Sequence, residues 1–208
     1  MEIAVPRQSR PTETMSPEFA LIRLNQPASR QAIVRGAFAL LVTAVLLAEK
    51  ARADDVTGQA SVIDGDTIEI HGTRVRLFGI DAPEHDQLCS NPHGDPYRCG
   101  QVASNALAGF IGGQTVACVE VDRDRYKRTV AVCSVGKVDL ADWMVRGGLA
   151  IDWPRYSKGD YAPAEAEARG KQIGMWGGRF VQPWRYRQCI GTGSRPDDCS
   201  REGMDDRR

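Results

Sequence analysis

Ile63-Asp64-Gly65-Asp66-Thr67-Ile68-Glu69-Ile70-His71-Gly72-Thr73-Arg74-Val75-Arg76-Leu77-Phe78-Gly79-Ile80-Asp81-Ala82-Pro83-Glu84 is the stretch that orders the rest of the chain. Thr67–Ile70 and Arg74–Leu77 each alternate apolar with polar residues, the period of a half-buried strand, and His71-Gly72 supplies a turn between them. The two runs predict a hairpin with Val75 and Leu77 on one face and Arg74 and Arg76 on the other. Asp81-Ala82-Pro83-Glu84 ends the strand. Residues 85–100 read as a loop holding the first two cysteines.

Downstream, Gln101–Ile111 places Ala103, Ala106, Leu107, Phe110 and Ile111 on one helical stripe, stopped by Gly112-Gly113. Thr115–Val121 and Thr129–Val135 are β-rich and are joined by the charged segment Asp122–Arg128. Asp139 suits the cap of a second helix carrying Leu140, Trp143 and Met144. A third helix is expected from near Pro163, supported by Glu165/Arg169 and Glu167/Lys171 at i, i+4. Beyond Gln188 the chain is polar, and only the cysteines at 189 and 199 suggest order there. This element order predicts an α+β domain built on a curled antiparallel sheet.

The acidic residues fall where two turns interrupt the hairpin. Asp64-Gly65-Asp66 taken alone is an ordinary turn sequence. With Asp81 and Glu84 it becomes a set of hard oxygen donors, and Pro83 biases Ala82 toward an extended backbone that can turn its carbonyl outward. Arg76 lies five residues before Asp81, and Arg128 follows the loop Asp122-Arg123-Asp124-Arg125-Tyr126-Lys127. A guanidinium offers the planar, bidentate donors that a phosphate accepts.

The three runs Ile63–Thr67, Arg76–Glu84 and Asp124–Arg128, in this order, resemble the thermonuclease, or staphylococcal-nuclease-like, family, with further likeness at Val145–Ala150 and Gly174-Met175-Trp176. The resemblance implies a five-stranded antiparallel OB-fold barrel with about three packed helices. It also implies a Ca2+ ion held by Asp66, Asp81 and the Ala82 carbonyl. Asp64 and Thr67 would stand behind the ion, Asp64 holding one of its waters. Glu84 matches the residue that activates or orients the attacking water, and Arg76 and Arg128 match the phosphate-gripping arginines. Arg125 and Tyr126 match positions that contact a terminal phosphate of the nucleotide. Two departures stand out: Ala82 where the family often has Thr, and Lys127 where it usually has Gly. The first is mild because the ligand is a backbone oxygen. The second strains the loop if the family's Gly has a positive φ.

Composition narrows the setting. Residues 1–53 hold seven Lys/Arg and four Asp/Glu, which leaves 20 basic and 23 acidic residues in 54–208. That slight acidity disfavours a passive nucleic-acid coat and favours a local positive site. Arg30 and Arg35, the apolar run Ala37–Ala48 and Ala51-Arg52-Ala53 read as a secretory leader cleaved before Asp54. Twelve residues are about 18 Å of helix, short of the roughly 30 Å hydrocarbon core. The expected organisation is therefore a leader over 1–53, the nuclease domain over 54–187 and a polar tail over 188–208.

All six cysteines follow the leader, at 89, 99, 118, 133, 189 and 199, as expected of disulfides in an oxidising compartment. Fifteen pairings are possible. The sequential set Cys89–Cys99, Cys118–Cys133 and Cys189–Cys199 is preferred, the middle pair because its members lie on neighbouring strands. No Cys-x-x-Cys occurs to favour zinc.

The expectation is a secreted or periplasmic monomer acting on single-stranded DNA or RNA with little sequence preference. It needs no stable protein partner, and no membrane contact once the leader is removed. Two other classes stay open on sequence: a binding module that keeps the barrel without catalysis, and a structural protein that uses the carboxylates only to hold calcium.

Overall fold

The structure, a computed structural model, describes residues 55–201. The expected leader with its expected cleavage before Asp54, and residues 202–208, lie outside the described residues. Strand β1 (Val56–Asp64) runs antiparallel to β2 (Thr67–Ile70), and β2 to β3 (Thr73–Leu77). The β2–β3 turn is the expected one. His71 and Gly72 both have positive φ, 51° and 79°, the two-residue turn whose twist suits a hairpin. Short β4 (Ile80–Asp81) follows, then a small hairpin of β5 (Leu88–Ser90) and β6 (Pro96–Arg98) inside the segment read as loop. Helix α1 (Cys99–Ile111) comes next, then β7 (Thr115–Arg123) and β8 (Thr129–Val135).

The sheet order is β3-β2-β1-β7-β8, and β3 pairs back onto β8 to close a five-stranded barrel. The closing seam is parallel, Val75 opposite Thr129 and Arg76 opposite Val130, while the other barrel pairs are antiparallel. It carries the start of β8, and with it the end of the Asp122–Arg128 loop, to the strand that bears Arg76.

Ile68, Ile70, Val75, Leu77, Val116 and Ala131 fill the interior with essentially no exposure. They meet Leu107 and Ile111 of α1 and Leu140 and Met144 of α2 (Leu140–Arg146). Each fully buried aliphatic side chain contributes roughly 1.5–3 kcal/mol. Asp139, on the two-residue strand β9 (Val138–Asp139), caps α2 as expected, accepting from the Ala141 and Asp142 amides.

The remaining elements are β10 (Ile151–Asp152), α3 (Pro154–Ser157), α4 (Ala162–Gly170), a 3₁₀ turn at Gly174–Gly177, α5 (Pro183–Ile190) and α6 (Pro196–Arg201). The segment expected to be a flexible tail is thus largely helical. The expected boundary at 187/188 falls inside α5, and Val181, Tyr186 and Cys199 form a small buried cluster there. All three sequential disulfides are present. Cys118 and Cys133 face each other directly across β7 and β8, and Cys189–Cys199 ties α5 to α6.

Candidate active site

Two close backbone approaches build the site. Gly65, in the β1–β2 turn, has room for no side chain: a Cβ would lie 2.7 Å from the Ala82 Cβ and 3.0 Å from the Ala103 Cβ. The Asp64–Asp66 turn therefore presses onto the Asp81–Glu84 corner. Gly100 does the same from α1, where a Cβ would lie 1.8 Å from the Glu84 carbonyl oxygen. Pairing of β4 with β10, Asp81 opposite Ile151, fixes the corner's third side.

Within this frame Asp66, Arg76, Asp81, Ala82 and Glu84 come together. Arg76 forks onto Asp66, Nη1 to Oδ1 at 2.8 Å and Nη2 to Oδ2 at 2.7 Å, and Nη2 also reaches Asp81 Oδ1 at 2.8 Å. Asp66 accepts further from the Thr67 hydroxyl at 3.0 Å and from the Ala82 amide at 3.2 Å. Asp64 Oδ1 accepts from the Asp66 amide and so shapes the turn. Asp66 and Asp81 are buried, and Glu84 is partly exposed at the rim.

Sequence reading missed two members of this site. The first is Arg187 of α5, which mirrors Arg76. Its Nη1 and Nη2 fork onto Asp81 Oδ1 and Oδ2 at 2.9 and 2.8 Å, and Nη1 also donates to Glu84 Oε1 at 2.8 Å. The second is Gln87, fully buried, whose Oε1 accepts from the Glu84 amide while its Nε2 donates to the Val181 carbonyl at 2.6 Å. Gln87 thus ties the Glu84 corner to the segment that leads into α5. No local motif marks either residue; each acts across about a hundred positions of sequence. Both guanidinia lie over the Trp153 ring, at 6.0 Å for Arg76 and 5.6 Å for Arg187. Trp153 in turn stacks on Trp184 and meets Tyr156 edge-on.

The β7–β8 loop forms a second cluster. Asp124 holds the loop by accepting from the Tyr126 and Arg128 amides, and takes the Arg128 Nε at 2.7 Å. Arg125 and Arg128 flank the exposed Tyr126 ring at 4.8 and 5.6 Å. Lys127 has φ 63°, in the left-handed region, so the condition under which a lysine strains this loop is met. Arg128 stands immediately before Thr129, which pairs with Val75 on the Arg76 strand, and its side chain is taken up by Asp124.

Burial, then the charge of neighbouring Asp66, pushes the Asp64 carboxyl up to about 7. Burial also raises Asp81 to about 6, against the hydrogen bond from Arg187 that favours its ionised form. Burial opposes the charge on both arginines, but the carboxylates around them outweigh it and hold both above the ordinary range. A local excess of negative charge remains: four carboxyl groups face two guanidinia.

The donor set fits a hard divalent cation. One nitrogen, Arg76 Nη2, touches oxygens of both Asp66 and Asp81, so the two carboxylates are close enough to share an ion. Their oxygens are the hard donors that calcium or magnesium takes. Among the described residues no three acidic, His or Cys side chains converge as a complete cage. Two carboxylates would therefore need the Ala82 carbonyl and water to complete a coordination shell.

The profile of the "Staphylococcal nuclease homologue" family matches residues 74–178. A "Succinoglycan biosynthesis protein ExoI" of Rhizobium meliloti (strain 1021) is 40% identical over 141 residues, covering 66% of this chain and 73% of its own. "Protein ParB" of Escherichia coli is 34% identical over 175 residues, covering 76% and 92%. An "Uncharacterized endonuclease" of Escherichia coli is 31% identical over 141 residues, covering 64% and 86%. With its closed five-stranded barrel and a family match spanning half its length, the chain belongs to the staphylococcal nuclease homologues.

Proposed function

We propose that this protein is an exported, calcium-dependent nuclease that hydrolyses phosphodiester bonds of single-stranded DNA or RNA with little sequence preference. The observation that carries the reading is the Arg76 fork between buried Asp66 and Asp81, with Glu84 at the rim beside them. The endonuclease name of one relative speaks for phosphodiester cleavage. The succinoglycan name of another is that protein's own, and nothing in this site points to a sugar substrate.

Hydrolysis adds a water oxygen to phosphorus and breaks one P–O ester bond, and negative charge builds on the equatorial oxygens meanwhile. Glu84 takes the water's proton in this reading, a contribution of about 10²–10⁴-fold for a positioned base. Arg76 and, from the β7–β8 loop, Arg128 supply fixed positive charge to the phosphoryl oxygens. Asp66, Asp81 and the Ala82 carbonyl would hold the cation, with Asp64 and Thr67 behind them. Bound there, the ion supplies Lewis-acid charge to the same oxygens. Arg125 and Tyr126, exposed on the β7–β8 loop, suit a terminal phosphate.

Single strands are the proposed substrate because an OB-type face accepts splayed bases more readily than a duplex. Export is supported by the disulfides, with no free cysteine among the described residues. Among those residues no helix is long and apolar enough to cross a membrane. The protein is further proposed to act as a monomer.

One observation favours a binding module without catalysis: Arg187 occupies both Asp81 oxygens and one Glu84 oxygen. The deciding experiment incubates the protein with single-stranded DNA, duplex DNA and RNA, with calcium or excess chelator. Calcium-dependent cleavage, fastest on single strands, is expected. Binding without cleavage under every condition would replace the nuclease by the binding module.

A further inference from the structure

The site holds two arginine forks where the nuclease reading has a use for one. Arg76 sits on Asp66 and reaches Asp81; Arg187 sits on Asp81 and reaches Glu84. Each carboxylate oxygen has about two lone-pair directions to offer. Asp81 Oδ1 already accepts from both arginines, and Oδ2 accepts from Arg187. Only Oδ2 keeps a direction open, and a cation taken there would stand against the Arg187 guanidinium, so like-charge repulsion favours its displacement.

The two arginines are not equally placed to yield. Arg76 is on β3 at the barrel's closing seam, and its side chain is 15% exposed. Arg187 approaches from the rim on α5 and is 34% exposed. Its helix is well fixed: Pro183 starts it, Tyr186 is buried, and Cys189, two residues on, is bonded to Cys199. The backbone holds Arg187 at the site while its side chain has solvent to swing into.

We propose that Arg187 is a resident counter-cation of the active site, a positioning residue that holds Asp81 and Glu84 in register until a divalent cation displaces it from Asp81. The inference rests on the calcium-nuclease reading. Removing Arg187 leaves Asp81 freer for the ion and leaves Glu84 without its tether. Calcium affinity and turnover then move in opposite directions, which a merely structural contact would not produce.

The test measures calcium binding by calorimetry, and cleavage of single-stranded DNA at saturating calcium, for the intact protein and for Arg187→Gln and Arg187→Lys. Thermal melts in chelator check folding. Loss of charge-assisted hydrogen bonds worth about 1.5–3 kcal/mol corresponds to roughly tenfold or greater change in affinity. The expected order of calcium affinity is Gln above Lys above Arg, with kcat falling in both variants and KM little changed. The lysine keeps the charge but loses the fork, so it carries the test if the glutamine variant does not fold. A flat or reversed order of affinities in folded variants overturns the proposal while leaving the nuclease standing. An unaltered protein that neither binds calcium nor cleaves would overturn both.

Discussion

Lys127 carries a measurable cost at a known position. A non-glycine residue at φ 63° sits in the left-handed region, at roughly 1–2 kcal/mol relative to glycine. Lys127→Gly is expected to raise the melting temperature by a few degrees and to leave cleavage intact; a lower melting temperature would show that the lysine side chain stabilises the loop. Asp64 and Asp81 make a second residue-scale statement. Their folded-state values, about 7 and about 6, lie above those of an unfolded chain. Protonation of these groups thus stabilises the ion-free fold in acid, and that contribution is lost as pH rises through 6 to 7. A bound cation needs the ionised form, so the melting-temperature gain from calcium should grow from about pH 5 to about pH 8. A gain independent of pH across that window would separate the ion from these carboxylates. Asp66, Arg76, Asp81 and Glu84 were legible in sequence because all sit within nineteen positions of one another on a hairpin. Arg187 was not, since its partners are 103 and 106 residues away and its neighbours in sequence carry no motif.

At the scale of elements, alternation and turn chemistry marked β2, β3, β7 and β8, and helical spacing marked α1 and α2. These signals work because each element buries a regular stripe against one core. The β5–β6 hairpin, α3, α5 and α6 escaped because they are short and irregularly buried. Helices α5 and α6 are held by a disulfide, by single anchors such as Trp184 and Tyr186, and by the bond from the Leu88 amide to Ser200, not by a long regular apolar stripe. The disulfides therefore divide by role. Replacing Cys118 and Cys133 by serine removes a cross-strand link closing a separation of 15 residues, at about 3 kcal/mol. That variant should melt lower but cleave normally below its melting transition. Replacing Cys189 and Cys199 frees the helix that carries Arg187, and should change calcium affinity and turnover with a smaller loss of stability. Equal effects of the two replacements on activity would contradict this division.

For the whole molecule, the barrel and its helices form a frame that brings the β1–β2 turn, the β3–β4 corner and α5 to one point. The closing β3–β8 seam brings the start of β8, immediately after Arg128, to Val75 on the strand that carries Arg76. Residues 54–208 are slightly acidic, and the site itself carries more carboxyl groups than guanidinia, so a cation bound there would supply positive charge that a phosphodiester needs. The central claim is that Glu84 activates water for a phosphodiester held by arginines and a calcium ion. The most direct test is the single-turnover rate of single-stranded DNA cleavage at saturating calcium by Glu84→Gln beside the unaltered protein, with calcium binding measured on both. A fall of 10²-fold or more with calcium binding retained is the expected result. An undiminished rate in the variant would contradict the account and place the base elsewhere.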